Sequence, residues 1–182
     1  MKDKIVKDIM IPLSNYAVVR PEASLKDAVM VLRQSYCELD KGICTEAGPR
    51  TVLVVTEEKE LLGILDFKAI LRVLVPEVAG SLGQKLRALE ISVAFAEEGA
   101  PELDESQADF VARVKKNAEV RVKDIMLKVK GTIDAKATLL DALKLIFKNK
   151  ITKLPVYEDG VLVGVVRDTD LFLTVADILT ES

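Results

Sequence analysis

The sequence predicts an α/β fold: two pseudo-symmetric β-α-β-β-α repeats packed sheet to sheet, with a helical insertion between them. Three observations carry this expectation. The pentapeptide Val6-Lys7-Asp8-Ile9-Met10 returns unchanged as Val122-Lys123-Asp124-Ile125-Met126. Further blocks match in the same order: Ser24-Leu25-Lys26-Asp27-Ala28 with Thr138-Leu139-Leu140-Asp141-Ala142, Leu53-Val54-Val55 with Leu154-Pro155-Val156, and Leu61-Leu62-Gly63-Ile64-Leu65 with Leu162-Val163-Gly164-Val165-Val166. In each half the apolar spacing also alternates between strand and helix periods in the same succession. The boundaries this gives are a first repeat at 1–75, an insertion at 76–120 and a second repeat at 121–182.

In the first copy Val18-Val19 reads as a strand, and a helix runs from about Ser24 to Tyr36. The stretch from Cys37 to Arg50 has no counterpart in the second copy and holds Asp40, Gly42, Gly48 and Pro49, which is loop chemistry. Strands follow at Val52 to Thr56 and Leu61 to Leu65, then a helix from about Phe67 to Val75. The insertion carries two apolar stripes at helical spacing, Leu82, Leu86, Leu89 and Val93, then Phe110, Val111 and Val114. Glu97-Glu98-Gly99-Ala100-Pro101-Glu102 separates them, so a helical hairpin is expected. Glu105 and Asp109 near the start of its second helix, and Arg113, Lys115 and Lys116 toward its end, suit the helix dipole. A cover for the core and a surface for dimerisation or partner docking are both open readings of this element.

The second copy reads as a strand at Lys130 to Ile133, a helix N-capped by Thr138 with Leu139, Ala142, Leu143, Ile146 and Phe147 on one face, and strands at Leu154 to Tyr157 and Val161 to Val166. Glu158-Asp159-Gly160 is the turn between those strands. A last helix follows Arg167, with Leu171, Phe172, Val175, Ile178 and Leu179 on one side. Neither repeat alone can hide both faces of a three-stranded sheet. Packing one on the other does so and leaves clefts where the sheets meet.

Composition excludes several functions. A net charge of -3, from 26 basic and 29 acidic residues, gives no global positive field for a nucleic acid. No apolar run approaches the roughly 18 to 20 residues needed to span a bilayer, so no membrane partner is expected. The start, Met1-Lys2-Asp3-Lys4-Ile5, is not a secretory signal, and a cytoplasmic location is expected. The chain has no histidine, which removes the commonest general base near neutral pH, and it has no Gly-x-x-x-x-Gly-Lys phosphate loop. An enzyme is therefore not expected. Cys37 and Cys44 read as reduced thiols in or near a loop rather than a disulfide or zinc ligands, and no metal site is expected.

The two Asp-Ile-Met segments, the element order and the run from Leu154-Pro155-Val156 through Gly164-Val165-Val166-Arg167-Asp168-Thr169-Asp170 resemble the cystathionine-β-synthase (CBS) domain, present twice as a Bateman module. The resemblance covers both halves and omits 37–50 and 76–120. It implies a regulatory module that requires no cofactor, commonly dimerises, and binds adenosine-containing ligands such as AMP, ADP, ATP or S-adenosylmethionine. The family's ligand signature is Gly-h-x-Thr/Ser-x-x-Asp, with h apolar. Asp170 matches its ribose-binding aspartate, Arg167 replaces the Thr or Ser but can hold phosphate bidentately, and Thr169 offers a hydroxyl nearby. The adenine is expected against Ile133, Lys153, Leu154 and Pro155. The first copy departs from the signature: Asp66 repels phosphate and Ala69 cannot hold ribose, so its site is degenerate.

The sequence thus points to an adenine-nucleotide sensor acting in trans on a protein partner. A ligand-free dimerisation scaffold is the alternative.

Overall fold

The computed structural model describes residues 4–38, 43–44, 49–76 and 107–180. The chain enters through a single helical turn α1 (Val6–Ile9) and a two-residue strand β1 (Ile11–Pro12). The first repeat follows as β2 (Ala17–Val19), α2 (Leu25–Tyr36), the short strands β3 (Cys37–Glu38) and β4 (Ile43–Cys44), then β5 (Thr51–Val55), β6 (Leu61–Asp66) and α3 (Phe67–Leu74). After α4 (Gln107–Asn117), a second turn α5 (Val122–Ile125) and strand β7 (Leu127–Lys128) lead into β8 (Ile133–Asp134), α6 (Leu139–Asn149), β9 (Lys153–Glu158), β10 (Val161–Arg167) and α7 (Asp168–Thr180).

Capping chemistry sets where the repeats' first helices begin. Thr138 Oγ1 accepts the Asp141 N–H at 3.1 Å and donates to Asp141 Oδ2 at 2.7 Å. Ser24 and Asp27 repeat this pair at 3.1 and 2.7 Å. The hydroxyl bonds hold both exposed carboxyls, Asp27 and Asp141, below the usual range.

Two expectations need correction. The strand expected at Lys130 to Ile133 begins only at Ile133, and the stretch after Cys37 is not purely loop, because β3 and β4 pair with Cys37 opposite Cys44. The second helix of the expected hairpin is α4, tied to α3 by Asn117 Nδ2 donating to the Leu74 carbonyl at 3.1 Å. The stripe from Leu82 to Val93 lies outside the described residues.

The repeated pentapeptides are exchanged. Two four-stranded sheets form, in the orders β1-β10-β9-β8 and β2-β5-β6-β7, so each repeat's leading strand completes the other repeat's sheet. The Val6 and Lys7 N–H groups donate to the Ala137 and Ala135 carbonyls at 3.0 and 2.9 Å. Those of Val122 and Lys123 donate to Ala23 and Pro21 at 2.9 and 3.0 Å. Val6 is accordingly buried in the second repeat's core and Val122 in the first's.

This crossing explains a glycine in each copy. A Cβ on Gly164 would stand 2.5 Å from the Ile11 carbonyl oxygen, and one on Gly63 2.8 Å from that of Leu127. Both glycines are places where the exchanged strand passes against bare backbone.

Strand register also corrects the alignment of the copies. Gly63 lies opposite Val54, whereas Gly164 lies opposite Val156. Val54 therefore answers to Val156 and Leu53 to Pro155, one residue away from the sequence match. Burial agrees: Val52 and Val54 sit in the first repeat's core, Leu154 and Val156 in the second's, and Leu53, Val55 and Tyr157 at the seam. Because side chains alternate, a slip of one would have moved each set to the wrong face. The seam is closed by Tyr16, Leu53, Val55, Leu162 and Val165.

Candidate functional site

At this seam a cleft of about 350 Å³ opens, within the range of small-molecule sites. Its floor is built from equivalent positions of the two repeats, Leu53 with Pro155 and Ile64 with Val165, joined by Leu127 and the Tyr16 ring. Its polar rim is basic. Lys128 and Lys130 arrive on the segment that leads into the second repeat, Lys150 from the end of α6, and Lys153 from the start of β9. Lys150 is placed by its left-handed backbone (φ 51°), which ends α6 with its N–H shared between the Ile146 and Phe147 carbonyls. None of the four makes an ion pair among the described residues.

Asp66 is the acidic member of the lining. It is the N-cap of α3, accepting the Ala69 N–H at 2.8 Å, and so occupies with its own charge the helix end where an anion would otherwise bind.

The pseudo-twofold relation takes Lys130 to Tyr16, Lys153 to Thr51 and Asp66 to Arg167. At that counterpart position the rim is replaced by buried groups: Thr51 is fully buried and Tyr16 only 6% exposed. The two hydroxyls have no hydrogen-bond partner among the described residues. Burial pushes the Tyr16 phenol up to about 12, against the pull of the nearby Arg167 charge. Arg167 itself is committed to Asp170. Its Nη2 donates to Asp170 Oδ1 at 2.6 Å, its Nε to Oδ2 at 3.0 Å, and its backbone N–H to Oδ2 at 2.9 Å. The Asp170 hydrogen bond is the chief cause of a raised Arg167 pKa.

The sequence-derived site residues are thus divided. Lys153 and Pro155 line the cleft, together with Asp66 of the first copy. Ile133 and Leu154 belong to the second repeat's core, and Ala69 to the first's. Arg167 and Asp170 pair with each other at the counterpart position. Thr169 stands exposed on the first turn of α7, its N–H donating to Asp168 Oδ1 at 2.7 Å. Sequence reasoning passed over Lys128, Lys130, Lys150 and Tyr16; the lysines are plain in the chain, but three separate elements carry the four basic rim positions.

Tyr16 offers a direct check. Tyr16→Phe removes a buried hydroxyl that has no partner among the described residues, and is expected to stabilise the fold by about 1 kcal/mol. The unfolded phenol ionises near 10.0 and the folded one at about 12, so the wild type loses additional stability as pH rises from 10 toward 12, a loss that Tyr16→Phe does not share. Urea unfolding across that window should show the extra loss in the wild type; equal slopes in both proteins would contradict the burial argument.

Two mixed α/β repeats that complete each other's sheets and enclose a ligand-sized cleft define an interlocked tandem-repeat module. The chain belongs to the CBS domain family, whose model matches residues 6–76 and 122–177. CBSX2, a CBS-pair protein from Arabidopsis thaliana, has a similar solved structure: 18% identity over 100% of both chains, with a TM-score of 0.62. CBSX2 in complex with AMP is similar at 20% identity, covering 96% of this chain and 98% of that one, with a TM-score of 0.56. A CBS domain-containing protein of unknown function from Bacillus anthracis shares 15% identity over 96% and 94% of the two chains, with a TM-score of 0.60. No curated protein matches the chain. Among the described residues no helix is long and apolar enough to cross a membrane.

Proposed function

We propose that this protein is a non-catalytic regulatory module that binds an adenosine-containing nucleotide in the seam cleft and acts in trans on a protein partner. The observation that carries the reading is the cleft itself, an apolar floor drawn from both repeats under a basic rim. An adenine ring suits the first and phosphates the second. That a CBS-pair protein has been solved with AMP supports the ligand class. A ligand touching both repeats shifts any equilibrium between their arrangements by its differential affinity, which is the physical basis for regulation.

Thermal unfolding with AMP, ADP, ATP and S-adenosylmethionine tests this. A ligand at a hundred times its dissociation constant should stabilise the fold by about 2.7 kcal/mol. No shift with any of them would remove the reading.

A specific observation also favours the scaffold reading. α6 and α7 expose Leu140, Phe147, Phe172 and Leu173, apolar side chains that a second copy could cover as a homodimer. The double variant Phe147→Asp/Phe172→Asp should be monomeric in sedimentation, and nucleotide binding that survives in it would set the sensor apart from the ligand-free scaffold. An unaltered oligomeric state would dismiss this face as an interface.

A further inference from the structure

Resting on the reading that the cleft is the ligand site, we infer that it selects ligands by charge: a nucleoside di- or triphosphate in preference to a monophosphate, and against the cationic S-adenosylmethionine. Among the described residues the rim carries Lys128, Lys130, Lys150 and Lys153 against the carboxylate of Asp66. This local excess of positive charge stands in a chain whose net charge is -3, so it is a feature of the site and not of the composition. Three of the lysines are exposed and Lys153 is half-buried, and none is neutralised by an ion pair among the described residues. An array of like charges round one small opening is unfavourable until an anion enters, and the gain grows with each added phosphate.

Asp66 fixes where the phosphates go. Its carboxylate caps α3 through the Ala69 N–H, so the helix N-terminus already holds a negative charge and repels another. The phosphate chain therefore runs toward the lysines, and the base lies over Leu53, Ile64, Pro155 and Val165. Monophosphates reach too few of the lysines to gain the full attraction.

Calorimetric titration of the full chain with AMP, ADP, ATP, S-adenosylmethionine and inorganic tripolyphosphate tests the inference. ATP is expected to bind at least about tenfold tighter than AMP, with a steeper loss as salt is raised. Lys128→Gln and Lys150→Asn should shrink the ATP-to-AMP ratio while leaving the fold intact, since both side chains are exposed and Asn accepts the left-handed backbone at 150. Asp66→Asn keeps a capping oxygen and removes the charge, so it should widen the ratio. Equal binding of AMP and ATP, or a ratio that ignores all three variants, overturns charge selection but leaves the nucleotide reading standing. Binding of tripolyphosphate without any nucleotide keeps charge selection and overturns the adenine. Silence from every ligand overturns both.

Discussion

Gly164→Ala is expected to cost about 3 kcal/mol of folding stability, the top of the usual range for an overpacked position. The added carbon would stand 2.5 Å from the Ile11 carbonyl oxygen and 3.3 Å from its carbon, with the Met10 sulfur at 3.0 Å. Two of these three atoms are backbone, so no rotamer change relieves the clash. The available escape is to lift β1 off β10, which breaks the pairing of Ile11 with Val165 and Pro12 with Gly164. That in turn loosens α1, whose Val6 is fully buried in the second repeat's core.

Gly63→Ala should cost less, about 2 kcal/mol, because two of its three close contacts, the Met126 sulfur and Cγ, belong to a flexible side chain that can turn away. Gly160→Ala is the control: its φ of +80° is strained for alanine, but nothing lies within 4 Å, and about 1 kcal/mol is expected. Urea unfolding of the three variants checks the order. A Gly164→Ala protein within 1 kcal/mol of the wild type would mean that the exchanged strand is not held as described. In both copies, then, the glycine that heads the ligand signature is required by a strand crossing, independently of any ligand.

Much of this fold was legible because the information was local or repeated. Thr138 and Ser24 announce their helices by a capping pair three residues apart, and Glu158-Asp159-Gly160 announces its turn. What escaped depends on contacts between distant segments. Nothing in Val-Lys-Asp-Ile-Met says that each copy docks on the other repeat, since the same five residues fit either core. The match of Val54 to Pro155 failed for a related reason: both strands are almost continuously apolar, so the sequence offers no alternation from which to read the face. Arg167 and Asp170, expected as ligand contacts, stand three residues apart across the start of α7 and pair with each other. Lys128, Lys130, Lys150 and Lys153 lie on separate segments of the chain, and only the fold brings them to one opening.

Asp170→Ala is the variant that decides between the two positions, and it is expected to cost about 3 kcal/mol of stability with little change in nucleotide affinity. The carboxylate is only 9% exposed and takes hydrogen bonds from the Arg167 backbone N–H and from two guanidinium nitrogens. Its removal leaves a part-buried N–H and a part-buried cation without an acceptor. The guanidinium is 25% exposed, so water recovers part of the loss and the figure falls at the low end for a broken buried pair. Arg167→Ala should be milder, about 1–2 kcal/mol, because the backbone N–H at 167 still reaches Asp170. The two effects should not add: the coupling in a double-mutant cycle is expected at about 1–2 kcal/mol, since each single change already removes the fork. Affinity separates the sites. A nucleotide seated over Leu53 and Pro155 with its phosphates on the lysines does not use Asp170, so Asp170→Ala should bind within about twofold of the wild type. If Asp170 instead holds the ribose, loss of a charged acceptor should weaken binding about ten- to hundredfold. Arg167→Ala would then tighten it by releasing the carboxylate, and the ligand would have to be moved from the open cleft to its counterpart.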